Sequence, residues 1–354
     1  MKILVAMSGG VDSSVVALLM KNEGYNCQGI LMKLFDGEDE PACCTKKDIE
    51  DAQAVADKLS IPFNVVNMSE GFRENVIDKF ISSYENGATP NPCIDCNRHM
   101  KFERLFDEGA RLGCDKVATG HYARIEYNEN SGRYILKKAL DETKDQSYVL
   151  YSLTQVQLSR ALFPLGTMTK EDARKIALKA GFINADKGDS QDICFVKGEM
   201  YYDFIERTQG KTYPEGDFVT VDGKVLGKHK GIIRYTVGQR KGLGIAYTSP
   251  LYVVKVDPNE NKVILGSNED LFTDTLIAKN INLISVPEIT EPMRVTAKVR
   301  YRHGAQPATV TQLDNDTIKV VFDNPQRAIT KGQSVVLYDG DIVVGGGIIV
   351  KGIE

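Results

Sequence analysis

The stretch ILVAMSGGVDSSVVALLMKNEG, from Ile3 to Gly24, passes from a strand pattern through a glycine-rich turn into a helix pattern. Its first five residues are a continuous apolar run, which is typical of a strand covered on both faces. In the turn SGGVDSS, which starts at Ser8, glycines let backbone N–H groups approach an anion, and the following helix adds its positive dipole. The stretch predicts a phosphate-binding loop, with an ordinary tight strand-to-helix turn as the alternative. It lacks the G-x-x-x-x-G-K-[ST] pattern, which disfavours kinase-type chemistry.

Three further apolar runs continue the same alternation of strands and helices. They are CQGILMK, FNVVNM and CDKVATGH, and a helical pattern from Lys46 to Leu59 separates the first two. Such an order predicts a parallel, doubly wound sheet, in which ligands sit at the carboxyl ends of the strands. Ser8, Gly120 and His121 fall at those ends. A longer helical pattern runs over residues 154–182, with a capping box predicted at Thr169.

After about Lys211 the hydrophobic period changes to two. Four segments with β-branched runs around turn residues give hairpin signals, so we expect antiparallel β structure forming one or two small barrels. The predicted domains are 1–205, 206–275 and 276–354, with the nucleotide loop in the first and a β-barrel in the last.

Composition limits the class of protein. A chain of 354 residues with 42% hydrophobic and 26% charged residues is globular rather than disordered, collagenous or fibrous. No apolar run approaches the ~18 residues of a membrane helix, and the apolar start is too short for a signal peptide. We therefore expect a cytoplasmic protein with no membrane partner.

The net charge of -4 conceals two basic segments. Between Asp222 and Asp257 the chain carries seven basic residues and no acidic one, and between Glu291 and Asp314 it carries four and none. Basic stretches on an acidic body are a plausible footprint for a polyanion, and solvated strand faces are the alternative.

Seven cysteines, an odd number without an export signal, favour thiol chemistry or metal binding over a disulfide framework. Cys93 and Cys96 form a C-x-x-C pair, which alone fits a redox pair, half of a zinc site or a cluster site; without a second C-x-x-C, structural zinc is disfavoured. Cys96 is predicted to open a helix whose N-terminus lowers the pKa of its thiol. Cys194 lies in a polar, glycine-bounded segment, which favours a functional role over a buried core position. The remaining cysteines are interpreted as structural or incidental: Cys27, Cys43, Cys44 and Cys114.

Taken together, seven motifs resemble the MnmA/TrmU family, the tRNA-uridine 2-sulfurtransferases, and the first also resembles the PP-loop of ATP pyrophosphatases. They occur in family order from the first strand to near the C-terminus, and a chance match of all seven is very improbable. The motifs are SGGVDSS, TPNPCIDCNRHMKF, ATGHYAR, KDQSYVL, GDSQDICFV, YTVGQRKGLG and VRYRH.

This resemblance implies an enzyme that uses ATP and Mg²⁺ to replace the C2 oxygen of wobble uridine 34 in tRNA by sulfur. Cys96 and Cys194 would be the catalytic pair, with a persulfide on Cys194 and Asp12 in a Mg²⁺-linked role. It implies an ATP site formed by Ala6, Met7, Ser8, Gly9, Gly10, Val11, Asp12, Ser13, Met32 and Gly120. It implies tRNA contacts at Asn91, Pro92, Cys93, His121, Lys144, Asp145, Gln146, Arg300, Tyr301 and Gln333.

At the position of Cys93, some members of the family have Asp instead. With Cys96 and Cys194, Cys93 supplies three thiolates, enough for a [4Fe–4S] cluster with one open iron, so a cluster route stands beside the persulfide relay. The family further implies tRNA acceptors for Lys, Glu and Gln and a cysteine desulfurase or sulfur-relay protein as donor.

Two other functions remain open on the residues alone. A PP-loop ligase or amidotransferase leaves the cysteines and the basic β segments unexplained, and a non-catalytic RNA-binding or Fe–S sensor protein leaves the phosphate loop unused.

Overall fold

Strands and helices alternate through the first half of the chain, as the sequence predicts. The computed structural model describes residues 1–35, 45–188, 193–196 and 198–353. No helix within these ranges is long and apolar enough to cross a membrane. In chain order, the elements up to residue 188 are β1 (Lys2–Ala6), α1 (Val11–Asn22), β2 (Asn26–Lys33), α2 (Lys46–Lys58), β3 (Phe63–Asn67), α3 (Ser69–Phe72), α4 (Asp78–Glu85), α5 (Pro92–Asp95), α6 (Leu105–Arg111), β4 (Lys116–Ala118), β5 (Arg124–Asn128), β6 (Arg133–Lys137), α7 (Ser147–Leu150), α8 (Gln155–Arg160), β7 (Ala161–Leu162) and α9 (Lys170–Lys179), with π-helices at Arg73–Ile77 and Cys96–Arg104 and a 3-10 helix at Pro164–Thr167.

The chain folds into two compact units. The first comprises residues 1–76, 93–198 and 341–343, and the second comprises 77–92, 199–340 and 344–354. The three-domain division predicted from the sequence stays a prediction. The elements after residue 198 are α10 (Tyr201–Gln209), β8 (Gly216–Thr220), β9 (Val225–His229), β10 (Tyr252–Asp257), β11 (Lys262–Gly266), β12 (Phe272–Leu283), β13 (Met293–Lys298), β14 (Gln306–Asp314), β15 (Thr317–Arg327), β16 (Ser334–Asp339) and β17 (Ile342–Ile353), with 3-10 helices at Ile232–Arg234 and Glu269–Leu271.

The first unit is built on the predicted parallel sheet. Its strand order is β3-β2-β1-β4-β7, and each neighbouring pair runs parallel. The central strand β1 has Ile3, Leu4 and Val5 fully buried, which explains its unbroken apolar sequence. All five strands end at the same edge, where the loops after β1 and β4 meet.

One prediction for this unit is wrong. Residues 154–182 do not form a continuous helical region, because α8 is followed by the short strand β7 and a 3-10 helix before α9 begins. Pro164 starts that 3-10 helix, where its fixed backbone angle and missing N–H suit a helix start and oppose helix continuation. The N-cap half of the predicted capping box is present: the Asp172 N–H donates to the Thr169 hydroxyl at 3.1 Å.

The second unit is largely antiparallel, as predicted, with one exception. Its four-stranded sheet has the order β10-β11-β8-β9, and the central pair β8–β11 runs parallel. Both flanking hairpins are antiparallel. Residues 230–251, which join them, are long enough for the crossover that a parallel pair requires.

The remaining strands, β12 to β17, close into a barrel. Their order is β12-β15-β14-β13-β16-β17, and β12 pairs antiparallel with both β15 and β17, so the ring has no open edge. Alternate residues fill the interior, among them Val310, Val320 and Leu337, which are fully buried. The predicted fold class, a PP-loop-type parallel sheet followed by small β domains with a C-terminal barrel, is confirmed.

Candidate active site

The SGGVDSS loop connects β1 to α1 at the carboxyl edge of the parallel sheet. Gly10 is the N-cap of α1, and among the described residues no side chain caps this helix end. Ser8 is exposed, its N–H donates to the hydroxyl of Ser13 at 3.1 Å, and that hydroxyl donates to the Gly10 carbonyl at 3.0 Å. Backbone N–H groups and the positive end of α1 are therefore available to an anion.

Gly9 is required by the packing of this loop. Its φ is +72°, and a Cβ there would lie 2.3 Å from the carbonyl oxygen of Asp48 at the start of α2. Lys187 completes the contact: its ammonium donates to the Gly9 carbonyl at 3.0 Å and to carboxylates of Asp48 at 2.6 Å and Asp51 at 2.8 Å. Burial lowers the pKa of Lys187, but the bonds to both carboxylates outweigh it and raise the pKa. The loop is thus fixed from outside its own motif.

Gly120 and His121, which follow β4, lie between this loop and the Cys96 helix. A Cβ on Gly120 would lie 3.1 Å from the Asp12 Cβ and 3.3 Å from the Ser13 nitrogen. The next residue, His121, places its Nε2 3.2 Å from Oδ1 of Asn97, the neighbour of Cys96. Two consecutive residues therefore touch the phosphate loop on one side and the cysteine helix on the other.

His121 is buried rather than presented to a partner. It is 7% exposed, its Nδ1 lies 2.7 Å from the Thr119 hydroxyl, and Asn97 Nδ2 donates to the Val149 carbonyl at 3.0 Å. Because an amide oxygen only accepts, the Nε2 of His121 carries the proton and the Thr119 hydroxyl donates to Nδ1. Burial, assisted by the charge of Lys101, holds the pKa of His121 well below its usual value, so the ring is neutral.

Cys96 does not have the lowered pKa that the sequence predicts. It begins the π-helix Cys96–Arg104 directly after α5, so four helical residues precede it and it is not at a helix N-terminus. It is 9% exposed, and this burial raises the pKa of its thiol to about 11 against the opposing charge of Lys101. Cys96 is thus a protonated, buried thiol at neutral pH. Cys93, whose side chain is exposed, also has a pKa raised by desolvation.

Cys194 lies in a segment that packs against α3, and α3 in turn contacts the π-helix that begins at Cys96. The ring of Phe195 meets that of Phe72 in α3 edge to face at 5.7 Å. A Cβ on Gly71 of α3 would lie 3.6 Å from the Met100 side chain in the π-helix. Cys194 belongs to a disulfide, whereas Cys96 is a thiol, so the two candidate catalytic cysteines are not bonded to each other in this structure.

The other cysteines differ in position. Cys27 and Cys114 are buried, and burial raises the pKa of each thiol, which agrees with a structural role. The prediction for Cys43 and Cys44 concerns residues outside those that the structure describes.

Within the described part of the chain, no three His, Cys, Asp or Glu side chains gather as a metal site. The candidate cluster ligands Cys93, Cys96 and Cys194 all fall in that part. Because Cys194 is in a disulfide, the three residues do not offer three thiolates in this structure, and this donor set does not fit a [4Fe–4S] cluster.

Two of the three candidate tRNA residues after β6 hold their own loop together. Asp145 accepts from the N–H groups of Ala139 and Ser147, both at 3.1 Å. Gln146 and Tyr122 bind each other: the Tyr122 N–H donates to the Gln146 side chain at 3.0 Å, and the Gln146 N–H donates to the Tyr122 carbonyl at 2.9 Å. Lys144 is half-buried.

In the second unit, Gln333 is bonded to the segment that precedes the C-x-x-C pair. Its side-chain amide donates to the Thr89 carbonyl at 2.7 Å, and the Thr89 N–H donates to the Lys331 carbonyl at 2.8 Å. Asn91 is half-buried and Pro92 is buried. The barrel thus anchors the TPNP segment two residues before Asn91.

The VRYRH motif divides into an internal and an external part. Nη2 of Arg300 donates to the carbonyls of Val237 and Ala328, both at 3.1 Å, and to the Thr330 hydroxyl at 2.6 Å. Tyr301 is 38% exposed with the Lys298 ammonium 5.9 Å from its ring centre, and Arg302 is exposed. Arg300 therefore joins three segments, while Tyr301 and Arg302 face solvent.

Sequence reasoning missed several residues that shape the site. Asn97 lies inside the TPNPCIDCNRHMKF motif, but the motif alone does not assign it a role. Lys170 and Lys187 are far from the SGGVDSS loop in sequence. Nothing in a single sequence signals that they reach it. Of the remaining candidate ATP residues, Ala6 ends β1 and Met7 follows it, Val11 and Ser13 are buried in α1, and Met32 is half-buried near the end of β2.

Three family models match successive parts of the chain. A tRNA methyl transferase HUP domain covers residues 1–198, a tRNA methyl transferase PRC-barrel domain covers 202–267, and an aminomethyltransferase β-barrel domain covers 273–349. Fold and site thus define a HUP-domain protein with a glycine-rich nucleotide-type loop, nearby cysteines and two appended β regions.

Relatives along the full length make the family more specific. The chain is 52% identical over 354 residues to the tRNA-specific 2-thiouridylase MnmA of Clostridioides difficile, covering 99% of this chain and 98% of that protein. It is 49% identical to the tRNA-specific 2-thiouridylase MnmA of Lachnoclostridium phytofermentans, covering 99% of both. The chain belongs to the MnmA family of tRNA-specific 2-thiouridylases, and the resemblance found in its motifs is confirmed.

Solved structures show more distant likeness. The U34-tRNA thiolase NcsA from Methanococcus maripaludis with its [4Fe-4S] cluster aligns with a TM-score of 0.34 and 18% identity, covering 59% of this chain and 66% of that one. A 4-thiouridine synthetase in complex with RNA and ATP aligns with a TM-score of 0.39 and 16% identity, covering 58% and 50%.

Proposed function

We propose that this protein catalyses the ATP-dependent 2-thiolation of uridine 34 in tRNA, releasing AMP and pyrophosphate. The observation that carries the proposal is the Gly120–His121 pair, which contacts the SGGVDSS loop on one side and the neighbour of Cys96 on the other. This contact supports a reaction in which the proposed site for adenylation and the proposed site for sulfur chemistry are adjacent. Membership of a family named for 2-thiouridylation supports the same reaction.

The first step activates the uracil. The C2 carbonyl is urea-like, so it is a poor electrophile and oxide is a poor leaving group. The C2 oxygen attacks the α-phosphorus of ATP, the bond to the β-phosphate oxygen breaks, and pyrophosphate leaves. The proposed nucleotide contacts are those implied by the family: Ala6, Met7, Ser8, Gly9, Gly10, Val11, Asp12, Ser13, Met32 and Gly120.

The second step transfers sulfur. The terminal sulfur of a persulfide on Cys194 attacks C2 and displaces AMP, leaving uracil bonded through two sulfurs to Cys194. The Cys96 thiolate then attacks the Cys194 sulfur, which releases 2-thiouridine and forms a Cys96–Cys194 disulfide. Alternatively, Cys96 attacks the persulfide first and frees hydrosulfide, which displaces AMP. Either order leaves a disulfide that an external thiol must reduce before the next turnover.

The structure adds two requirements to this sequence of steps. Cys194 must leave its disulfide before it accepts sulfur from the donor, a cysteine desulfurase or relay protein. Cys96 must also become accessible, because a buried thiol with a pKa near 11 is not a nucleophile at neutral pH. A π-helix frequently marks a functional site, and we place the opening at Cys96–Arg104.

The tRNA is proposed to bind by its backbone to the basic segments and to present the wobble base unstacked. Of the candidate residues, Tyr301 is exposed as a stacking surface, and the neighbouring Arg302 is an exposed phosphate ligand. Asn91, Pro92 and Cys93 are the proposed base contacts. The acceptors are expected to be the tRNAs for Lys, Glu and Gln. We also retain as a proposal the division of the chain into domains 1–205, 206–275 and 276–354.

Measuring pyrophosphate release from ATP with and without unmodified tRNA tests the proposal. Release that requires tRNA, and that persists when Cys96 or Cys194 is replaced by Ser, supports adenylation of the uridine ahead of sulfur transfer. Release that is independent of tRNA favours a small-molecule ligase or amidotransferase. No release with either tRNA or small acceptors contradicts the enzymatic assignment.

A further inference from the structure

The carboxylate of Asp12 is already occupied by a cation. Asp12 lies in the first turn of α1, and both of its oxygens accept hydrogen bonds from the ammonium of Lys170 at 2.7 Å. Oδ1 also accepts one from the Tyr122 hydroxyl at 2.9 Å. A divalent cation on the same oxygens would have to displace this ammonium, because like charges at that separation repel strongly. The surroundings of Asp12 therefore do not fit the Mg²⁺-linked role expected of it.

Lys170 is held both at its backbone and at its ammonium group. It is the first residue of α9, its N–H donates to the Asp141 carboxylate at 3.1 Å, and Thr169 caps the same helix. Only 11% of its side chain is exposed, a burial that lysine rarely shows unless it is paired. The paired ammonium is consequently held beside the first turn of α1, the helix end proposed to receive the phosphates.

A second lysine near the loop is placed differently. Lys187 is bonded to the Gly9 carbonyl and to two carboxylates of α2, those of Asp48 and Asp51. Lys170 instead pairs with Asp12 in the first turn of α1. Of these two ammonium groups, Lys170 is the one at the helix end proposed to receive the phosphates.

We propose that Asp12 positions Lys170 and that the Lys170 ammonium binds the polyphosphate chain of ATP. This inference rests on the proposed function, since it assumes a nucleotide at the SGGVDSS loop. Lys170, from a distant helix, then replaces the lysine that a G-x-x-x-x-G-K-[ST] loop would carry within its own motif. In this assignment Mg²⁺ would be held by phosphate oxygens and water, ligands that it commonly has in proteins, and Asp12 would not be one of its ligands.

Calorimetric titration with pyrophosphate and with a non-hydrolysable ATP analogue, each in EDTA and in MgCl₂, tests this assignment without any turnover. The variants are Lys170→Met, Asp12→Asn and the double variant, in which neutral groups replace both members of the ion pair. The matched control is Lys175→Met on the same helix, whose ammonium pairs with Glu171 at 2.7 Å and whose side chain is 64% exposed.

We expect Lys170→Met and the double variant to bind pyrophosphate in EDTA about 10- to 100-fold more weakly, the loss typical of a charge-assisted contact. Lys175→Met should bind as the unaltered protein does. Asp12→Asn should weaken pyrophosphate binding less than Lys170→Met and leave the Mg²⁺ requirement unchanged.

Two results would overturn the assignment while the proposed function stands. One is unaltered pyrophosphate binding in a folded Lys170→Met or double variant, which reduces the ion pair to a structural contact. The other is a higher Mg²⁺ requirement in Asp12→Asn alone, which makes Asp12 a metal ligand. Failure of the unaltered protein to bind either pyrophosphate or the ATP analogue would instead contradict the proposed function together with this inference.

Discussion

Oδ1 of Asn97 lies 3.2 Å from Nε2 of His121, and this single contact joins the helix of Cys96 to the loop that follows β4. Both residues are buried, and each has a second hydrogen-bond partner within the first unit: Val149 for Asn97 and Thr119 for His121. The cysteine helix is consequently held by a neutral, fully internal hydrogen-bond chain.

Replacing His121 by Ala should destabilise the protein in a pH-dependent way. It removes a buried ring and leaves the partners of both nitrogens unpaired, so we expect a loss of about 2–4 kcal/mol in the free energy of unfolding at pH 7.5. In the unaltered protein the pKa of His121 is lower in the folded state, so the unfolded state binds the proton first and stability falls as pH falls below about 6.5.

The alanine variant lacks that contribution, so the stability gap between the two proteins should narrow by about 1 kcal/mol at pH 5.5. Urea denaturation at both pH values measures the gap. A gap that is the same at pH 7.5 and 5.5 would mean that His121 is not held neutral by the fold.

Cysteine reactivity should follow burial rather than motif membership. Iodoacetamide should label Cys93 well before Cys96 at pH 7.5, because Cys93 is exposed and Cys96 is buried with a pKa raised to about 11. Labelling of Cys96 should accelerate when tRNA and nucleotide are bound, if the proposed opening occurs. Peptide mass spectrometry, with Cys96→Ser as the assignment control, checks the order. Equal labelling rates for the two thiols in the protein alone would refute the buried position of Cys96.

Gln333 should affect turnover more than tRNA binding. Its amide holds the Thr89 carbonyl, so Gln333→Ala loosens the segment that leads to the C-x-x-C pair. We expect kcat for thiolation to fall about 5- to 20-fold, because the free energy of one or two net hydrogen bonds that position this segment is lost. The tRNA dissociation constant should change less than twofold. The control is Gln326→Ala, a barrel glutamine bonded to Asn324. A weakened tRNA affinity with unchanged kcat would instead identify Gln333 as a direct tRNA contact.

Substitutions of Arg300 and Arg302 should have different effects, the first on protein stability and the second on RNA binding. Arg300→Ala breaks three internal hydrogen bonds and should lower the free energy of unfolding by about 2–4 kcal/mol. Arg302→Ala, at an exposed position, should change it by less than about 0.5 kcal/mol but weaken tRNA binding and reduce its salt dependence. Urea denaturation and binding measurements at two salt concentrations provide both readouts. The reverse pattern would contradict the division of the VRYRH motif.

The elements that the sequence predicts well are those with a local cause. β1, the glycine-rich turn and α1 follow from an apolar run, a glycine pair and helical spacing within about twenty residues. The parallel pairing of β8 with β11 was not predictable, because hairpin signals describe only neighbouring strands and this pair is joined by a long crossover. The break at Pro164 was predictable in principle, since proline opposes helix continuation, but the surrounding periodicity favoured one helical region.

For the site, motifs located the residues but not their environments. The C-x-x-C spacing identifies Cys96, yet its raised pKa comes from tertiary burial, which outweighs any local helix dipole. Lys170 reaches Asp12 across 158 positions of sequence, a separation at which no local pattern can link them. His121 and Arg300 lie in motifs for which the family resemblance implies tRNA contacts. In the structure, both side chains make hydrogen bonds inside the protein.

Thiolation of uridine 34 by this protein can be measured by nucleoside mass spectrometry of unmodified tRNA after incubation with reduced, iron-free protein, Mg-ATP and a persulfide donor. We expect 2-thiouridine at position 34, formed with one AMP per modified base, and none from Cys96→Ser or Cys194→Ser. The proposed function would be contradicted by 2-thiouridine formation in Cys194→Ser, or by its absence from the unaltered protein even after anaerobic reconstitution with iron and sulfide.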